Sequence, residues 1–106
     1  MPTTIRACTW NIELGRRLDR VLEATAGLPD FRALDVLLLQ EASEHALRAD
    51  AEAIARSLGP TYRWHQQAVH VLRGAVQANA LVWDERRVAL ACTAPRRTWT
   101  ACWCQR

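Results

Sequence analysis

The sequence predicts an α/β fold with the order β-α-β-α-β-β-β. Three observations lead there. Strand-type residues at 5–10 give way to helical spacing from Leu18, an unbroken apolar run fills 36–39, and a second helical spacing stops at Gly59-Pro60 before strand patterns resume.

Residues 5–10, Ile-Arg-Ala-Cys-Thr-Trp, mix β-branched and aromatic types that suit a pleated strand. Asn11 stands at its end, and Gly15 supplies a turn soon after. Leu18, Val21, Leu22, Thr25 and Ala26 then fall on one helical face, and Gly27 and Pro29 end that helix. Residues 35–41, Asp-Val-Leu-Leu-Leu-Gln-Glu, form the second strand, because four consecutive apolar residues suit a strand covered on both faces. Ser43 and Asp50 are candidate caps for the second helix. Its face is set by Leu47, Ala51, Ile54 and Leu58, and its end by Gly59 and Pro60. Residues 61–66 alternate, with Tyr62 and Trp64 on one face, and Arg73-Gly74 marks a turn. Residues 79–83 and 87–92 are expected to pair as an antiparallel hairpin around Asp84-Glu85. Beyond Cys92 no period is visible. The chain therefore divides into a body, 1–92, and an irregular or disordered tail, 93–106.

The 106 residues suit one small domain or part of a larger one. There is no apolar run long enough for a membrane span, and no signal-like stretch precedes the first strand. The expectation is a soluble, cytoplasmic protein with no membrane span. The net charge of +3 is carried by Arg without any Lys. Through Cys92 there are eleven Arg and eleven acids, so the excess lies in Arg96, Arg97 and Arg106. A neutral body argues against a basic nucleic-acid face. Cys8, Cys92, Cys102 and Cys104 read as reduced thiols in a cytoplasmic setting, with Cys8 an apolar filler of the first strand. Cys102-x-Cys104 lacks the second ordered pair that a structural zinc site requires.

Two segments carry chemistry: Thr9-Trp10-Asn11-Ile12-Glu13 and Leu37-Leu38-Leu39-Gln40-Glu41. Each places an oxygen ligand where a buried strand leaves the core, and open α/β sheets bind ligands beyond strand ends. Mg²⁺ takes hard oxygen ligands, commonly one or two carboxylates with several retained waters. Glu41 can bind such an ion directly, and Asn11 can orient a metal-bound water or a phosphate oxygen. Blander roles stand beside these: Asn11 as a turn cap, and Glu41 as a solvated strand end or an acid near a helix N-terminus. Glu13 reads as a surface carboxylate. His45 reads as an exposed helix residue, and His65 and His70 as surface or strand residues. Tyr62 and Trp64 suit sheet packing better than a platform for bases.

The same two segments resemble the opening of the endonuclease/exonuclease/phosphatase family, the DNase I-like phosphodiesterases. Gln77-Ala78-Asn79-Ala80-Leu81 also resembles that family's Gly-Asn-Ala-Ile-Leu strand, with Ala78 in place of Gly. The resemblance covers roughly residues 5–92. It implies the N-terminal half of a DNase I-like α/β sandwich: a mixed sheet with two helices. It implies that Asn11 and Glu41 are catalytic residues holding Mg²⁺ or Mn²⁺, and that the substrate is a phosphate ester. The family's catalytic His, its Asp-x-Asn pair and its Asp-His pair come from later segments, and neither pair occurs here. Loss of a general base costs on the order of 10²–10⁴-fold. The expectation is therefore a fragment of a divalent-metal-dependent phosphoesterase with negligible activity of its own, whose ending resembles that of a truncated or shifted reading frame. Two rivals remain. One is a non-enzymatic α/β module that self-associates or binds a partner chain through an exposed apolar sheet face. The other is a nucleic-acid binder acting through the Arg/Trp tail, with salt-sensitive affinity.

Overall fold

A computed structural model describes residues 4–72, 74–94 and 100–105. The protein is α/β: a four-stranded mixed sheet carries two helices on one face. β1 (Ala7–Asn11) leads through a 3-10 turn into α1 (Leu18–Gly27), and β2 (Val36–Ala42) returns parallel to β1. A two-residue pair, β3 (Glu44–His45) and β4 (Arg48–Ala49), precedes α2 (Asp50–Leu58). β5 (Tyr62–Leu72) and β6 (Ala75–Asp84) form a long hairpin whose turn includes Gly74 at φ +79°. The sheet order is β1-β2-β6-β5. β7 (Val88–Ala94) and β8 (Thr100–Gln105) pair as a separate two-stranded sheet.

Alternation along the strands separates two faces. Leu37 and Leu39 of β2 and Ala78, Ala80 and Val82 of β6 meet Val21 of α1 and Ala51, Ile54 and Ala55 of α2 in the main core. Small residues on both sides let α2 lie close to the sheet, and Thr25 and Ser57 share a hydrogen bond between the helices. Cys8 and Trp10 pack against this core from β1, and Trp10 stacks on Phe31 at 5.6 Å between ring centroids. Cys8 is a free thiol. No helix among the described residues is long and apolar enough to cross a membrane.

Several expectations give way to the structure. The hairpin of residues 79–83 with 87–92 does not form. β6 is hydrogen-bonded to β2 on one side and β5 on the other, so it has no free edge for β7. Leu47 is not on α2: it sits fully exposed at the β3–β4 turn, where Ala46 and Leu47 both have positive φ (51° and 65°). Two left-handed residues match the twist of a tight hairpin, and that turn delays the helix to Asp50. Neither Ser43 nor Asp50 caps α2, whose N-cap is Ala49 without a side-chain bond. His45 lies in β3 rather than on a helix. In the stretch 93–106, Thr93 and Ala94 continue β7, and Thr100–Gln105 forms β8, with Val88 opposite Gln105. Thr, Cys and Trp are strand-compatible types even without a regular apolar period. The rest of that stretch, 95–99 and 106, lies outside the described residues. The sheet face away from the helices is only partly open. Leu81 and Trp83 are buried there in a small cluster with Val88, joined by Val36, while Leu38 remains 36% exposed.

The end of the sheet where β1 and β2 begin is locked by carboxylates. Arg6 N–H donates to Asp35 Oδ2 (2.8 Å), and Asp84 N–H donates to the Asp35 carbonyl (2.9 Å). The Arg86 guanidinium grips Asp84, with Nη2 to Oδ2 at 2.7 Å. That grip holds the Asp84 carboxyl below its ordinary pKa, against the upward push of burial. A depressed pKa stabilises the fold above the unfolded value and loses that contribution as pH falls through the folded one. Asp84→Asn should therefore lower Tm at neutral pH and flatten its fall below about pH 4. Equal acid sensitivity in the two proteins, measured by thermal melts across pH, would place that dependence on other carboxylates.

Candidate functional site

The site begins with a break in the β2 ladder. Leu39 pairs with Ala80 and Ala42 pairs with Ala78, so two residues of β2, Gln40 and Glu41, stand against one residue of β6, Asn79. This is a β-bulge, a device that re-aims a side chain. Leu39 and Ala42 are 1% and 0% exposed in the helix-side core, which leaves Gln40 and Glu41, both half-buried, to the other side. Glu41 takes φ +53°, a left-handed conformation disfavoured for a residue with a Cβ. Its carboxylate forms no hydrogen bond or ion pair among the described residues.

Asn11 ends β1 opposite Gln40, so Asn11 and Glu41 stand at the same, carboxyl-terminal end of two adjacent parallel strands. Ile12 N–H donates to the Gln40 carbonyl (3.0 Å), which carries the pairing past the strand end. Asn11 Oδ1 accepts the Glu13 N–H (3.0 Å), the turn-capping role that its residue type suggests. Its Nδ2 forms no hydrogen bond among the described residues. The turn is tight: Glu13, Leu14 and Gly15 have φ of 51°, 57° and 68°, which drives Ile12 and Leu14 into the interior at 3% and 6% exposure. Of the six non-glycine residues with positive φ among the described residues, Glu13, Leu14 and Glu41 flank this strand end. Backbone strain costs on the order of 1–3 kcal/mol per residue and collects at functional sites.

A clamp behind the bulge holds it. Ser43 N–H donates to Asp50 Oδ2 (2.8 Å), and the Ser43 carbonyl accepts from Asp50 N–H and Gln66 Nε2 (2.9 Å each). Gln66 Oε1 accepts the Ala51 N–H (3.1 Å), tying β5 to the first turn of α2. Asp50 is 1% exposed, and His45 Nε2 lies 3.3 Å from its Oδ1. Burial raises the Asp50 carboxyl pKa, while the Ser43 N–H and the His45 imidazole pull it back. Gly15 closes over this group, and a Cβ there would strike Asp50 and His45. The clamp therefore joins the turn after β1 to the segment after β2.

The structure also shows residues that sequence reasoning passed over. Gln67 pairs with Asn79, so a polar row crosses the sheet: Asn11, Gln40 with Glu41, Asn79, Gln67. Asn79 is exposed although it lies in an otherwise buried stretch of β6. The adjacent row, Thr9, Leu38, Leu81 and His65, is mixed, and Gln40 Nε2 donates across to Thr9 Oγ1 (2.7 Å). A single Asn between Ala78 and Ala80 was the available signal for the polar row. Among the described residues no three His, Cys, Asp or Glu side chains gather as a metal-binding group. What the strand ends offer a cation is the half-buried carboxylate of Glu41 and the exposed one of Glu13, neither paired among the described residues, with amide oxygens beside them. That donor set suits an ion that keeps several waters, the habit of Mg²⁺.

If Glu41 is retained for its carboxylate rather than for the fold, Glu41→Gly should not destabilise the protein. Glycine removes the left-handed strain, and the unfolding free energy in urea should hold or rise by up to about 1 kcal/mol. A fall of that size would show that the side chain holds the fold together instead.

No family model, no curated protein and no solved structure matches the chain. The site therefore stands on its own geometry.

Proposed function

We propose that the protein carries the first part of a divalent-metal phosphoesterase site, in which Glu41 is the metal-binding carboxylate and Asn11 orients a phosphate oxygen or a metal-bound water. One observation supports this reading above the others. A half-buried, unpaired carboxylate is held at a strained bulge, beside an asparagine at the same end of the neighbouring parallel strand. Structural carboxylates in this protein look different: Asp35, Asp50 and Asp84 are each buried and engaged by backbone N–H groups or arginines. A bound Mg²⁺ or Mn²⁺ would neutralise charge on a phosphate ester. The chain's own residues hold and orient such a group. None of the described histidines adjoins Glu41 in the strand pairings, and the family's later acid–base motifs are not in the sequence. Binding is therefore proposed here without turnover, and the substrate class is a phosphate ester. This reading places the fold as one half of a DNase I-like sandwich.

Titration with Mn²⁺ tests it. Paramagnetic broadening should begin at the amides of Asn11, Gln40, Glu41 and Asn79, and Glu41→Gln should abolish it while the fold is kept. Purified protein with Mg²⁺ should cleave no phosphodiester at a useful rate. Broadening centred elsewhere would remove the metal assignment, and robust Mg²⁺-dependent cleavage would overturn the claim of incompleteness.

A second reading, a module that binds another protein chain, draws on a different observation. Val69 and Val71 are 56% and 69% exposed on β5, an edge strand of the sheet. Exposed edges are templates for added strands. That reading predicts concentration-dependent dimers in size-exclusion chromatography, abolished by Val71→Lys; a monomer at every concentration tells against self-association.

A further inference from the structure

We infer that the groove between β1 and α1 binds an anionic group, a second phosphate or carboxylate of the ligand, through Arg17 and Arg20. This deepens the phosphoesterase reading and rests on it for the identity of the ligand, while the anion site can be tested separately.

The groove has a volume of about 250 Å³. Its floor is Trp10, Ile12 and Val21, and its polar rim is Asn11, Glu13, Arg17 and Arg20. Asn11 belongs both to this rim and to the polar row of the sheet, so the groove opens directly onto the strand ends. Small-molecule pockets usually span roughly 300–1,000 Å³, so this one suits a phosphate with a small attached group rather than a whole nucleotide.

Charge separates this groove from two others among the described residues. In the groove at Arg56 and Arg63, Arg56 faces Glu52 (3.7 Å) and Arg63 is paired to Glu85 (2.8 Å). In the groove at Arg86 and Arg87, Asp84 and Asp35 neutralise both arginines. The side chains of Arg17 and Arg20 form no ion pair or hydrogen bond among the described residues. Glu13 shares their rim without coming within ion-pair distance of either, so the rim carries one net positive charge. Two guanidinium forks and the Asn11 Nδ2 are donors suited to phosphate oxygens. The apolar floor takes the carbon part of the ligand. An ester seated in this way would have one phosphate at Asn11 and Glu41 and its other anionic group at Arg17 and Arg20.

The test is titration of the full chain with inorganic phosphate in metal-free buffer, followed by amide chemical shifts. Shifts should appear at Asn11, Ile12, Arg17 and Arg20. The double variant R17Q/R20Q should bind about tenfold more weakly or worse, since each lost guanidinium removes a charged hydrogen bond. Both side chains are exposed, so the variant should keep the wild-type melt. Because the titration is run without metal, phosphate binding there reports this site and not the metal site. Loss of Mn²⁺ binding with phosphate binding intact would sink only the phosphoesterase reading. Equal phosphate affinity in R17Q/R20Q, shifts centred on Arg56 and Arg63, or no binding at millimolar phosphate would overturn the anion site.

Discussion

Leu39 and Ala42 both enter the helix-side core although they lie three residues apart on β2. A regular strand would place them on opposite faces, because side chains alternate with a period of two. The extra residue resolves the conflict by forming a bulge, and the bulge puts Gln40 and Glu41 against Asn79. The placement of Glu41 follows from this step. It turns a glutamate away from the core at a cost in backbone strain, and it places that glutamate next to the strand end that carries Asn11. The strain is sustained because Ala42, at 0% exposure, and Ser43, clamped by Asp50, over-determine the segment that follows.

The clamp and the sheet order act together. β6 is the spine, paired on both edges, and its alanines at 78 and 80 let α2 settle against the sheet. α2 in turn presents Asp50 to Ser43, and β5 presents Gln66 to the same carbonyl. Three elements distant in sequence thus meet behind Glu41. The same occupancy of β6 sends β7 away to pair with β8, and Val88 then covers part of the face that would otherwise lie bare. Less apolar surface is open than a bare half of a sandwich would show, which weakens the sheet-face route to partner binding and leaves the β5 edge as the more exposed apolar feature.

Electrostatics differs between the two ends of the sheet. At one end of the sheet, Asp35 and Asp84 are buried and matched by backbone N–H groups and arginines, an arrangement that serves stability. At the other end, Glu41 is unpaired and Arg17 and Arg20 face an open groove without carboxylate partners within the described residues. A carboxylate at the strand end and guanidinium groups in the groove that shares Asn11 suit a ligand that brings a cation and an anion together. The metal-bound phosphate ester proposed above is such a ligand, and the metal and anion halves of that proposal can fail independently.

Much of the fold was legible in the residues themselves. Local period and punctuation marked α1 from Leu18, the burial of β2, the body of α2 and its stop at Gly59, and the turn at Gly74, because these depend on neighbours within a few residues. Asn11 and Glu41 were legible as polar residues closing apolar strands. The sequence determined which side chains stand at the strand ends. Only the tertiary structure decided what surrounds them. The bulge, the pairing of β6 with β5 rather than β7, the row through Asn79 and Gln67, and the groove of Arg17 and Arg20 all depend on register between distant segments. Leu47 was misplaced for the same reason: its spacing matched a helix, but the tight turn at Ala46 and Leu47 belonged to a strand pair that local periodicity does not reveal. Strand pairing is non-local, and which face a residue meets is settled only when its partner strand is known.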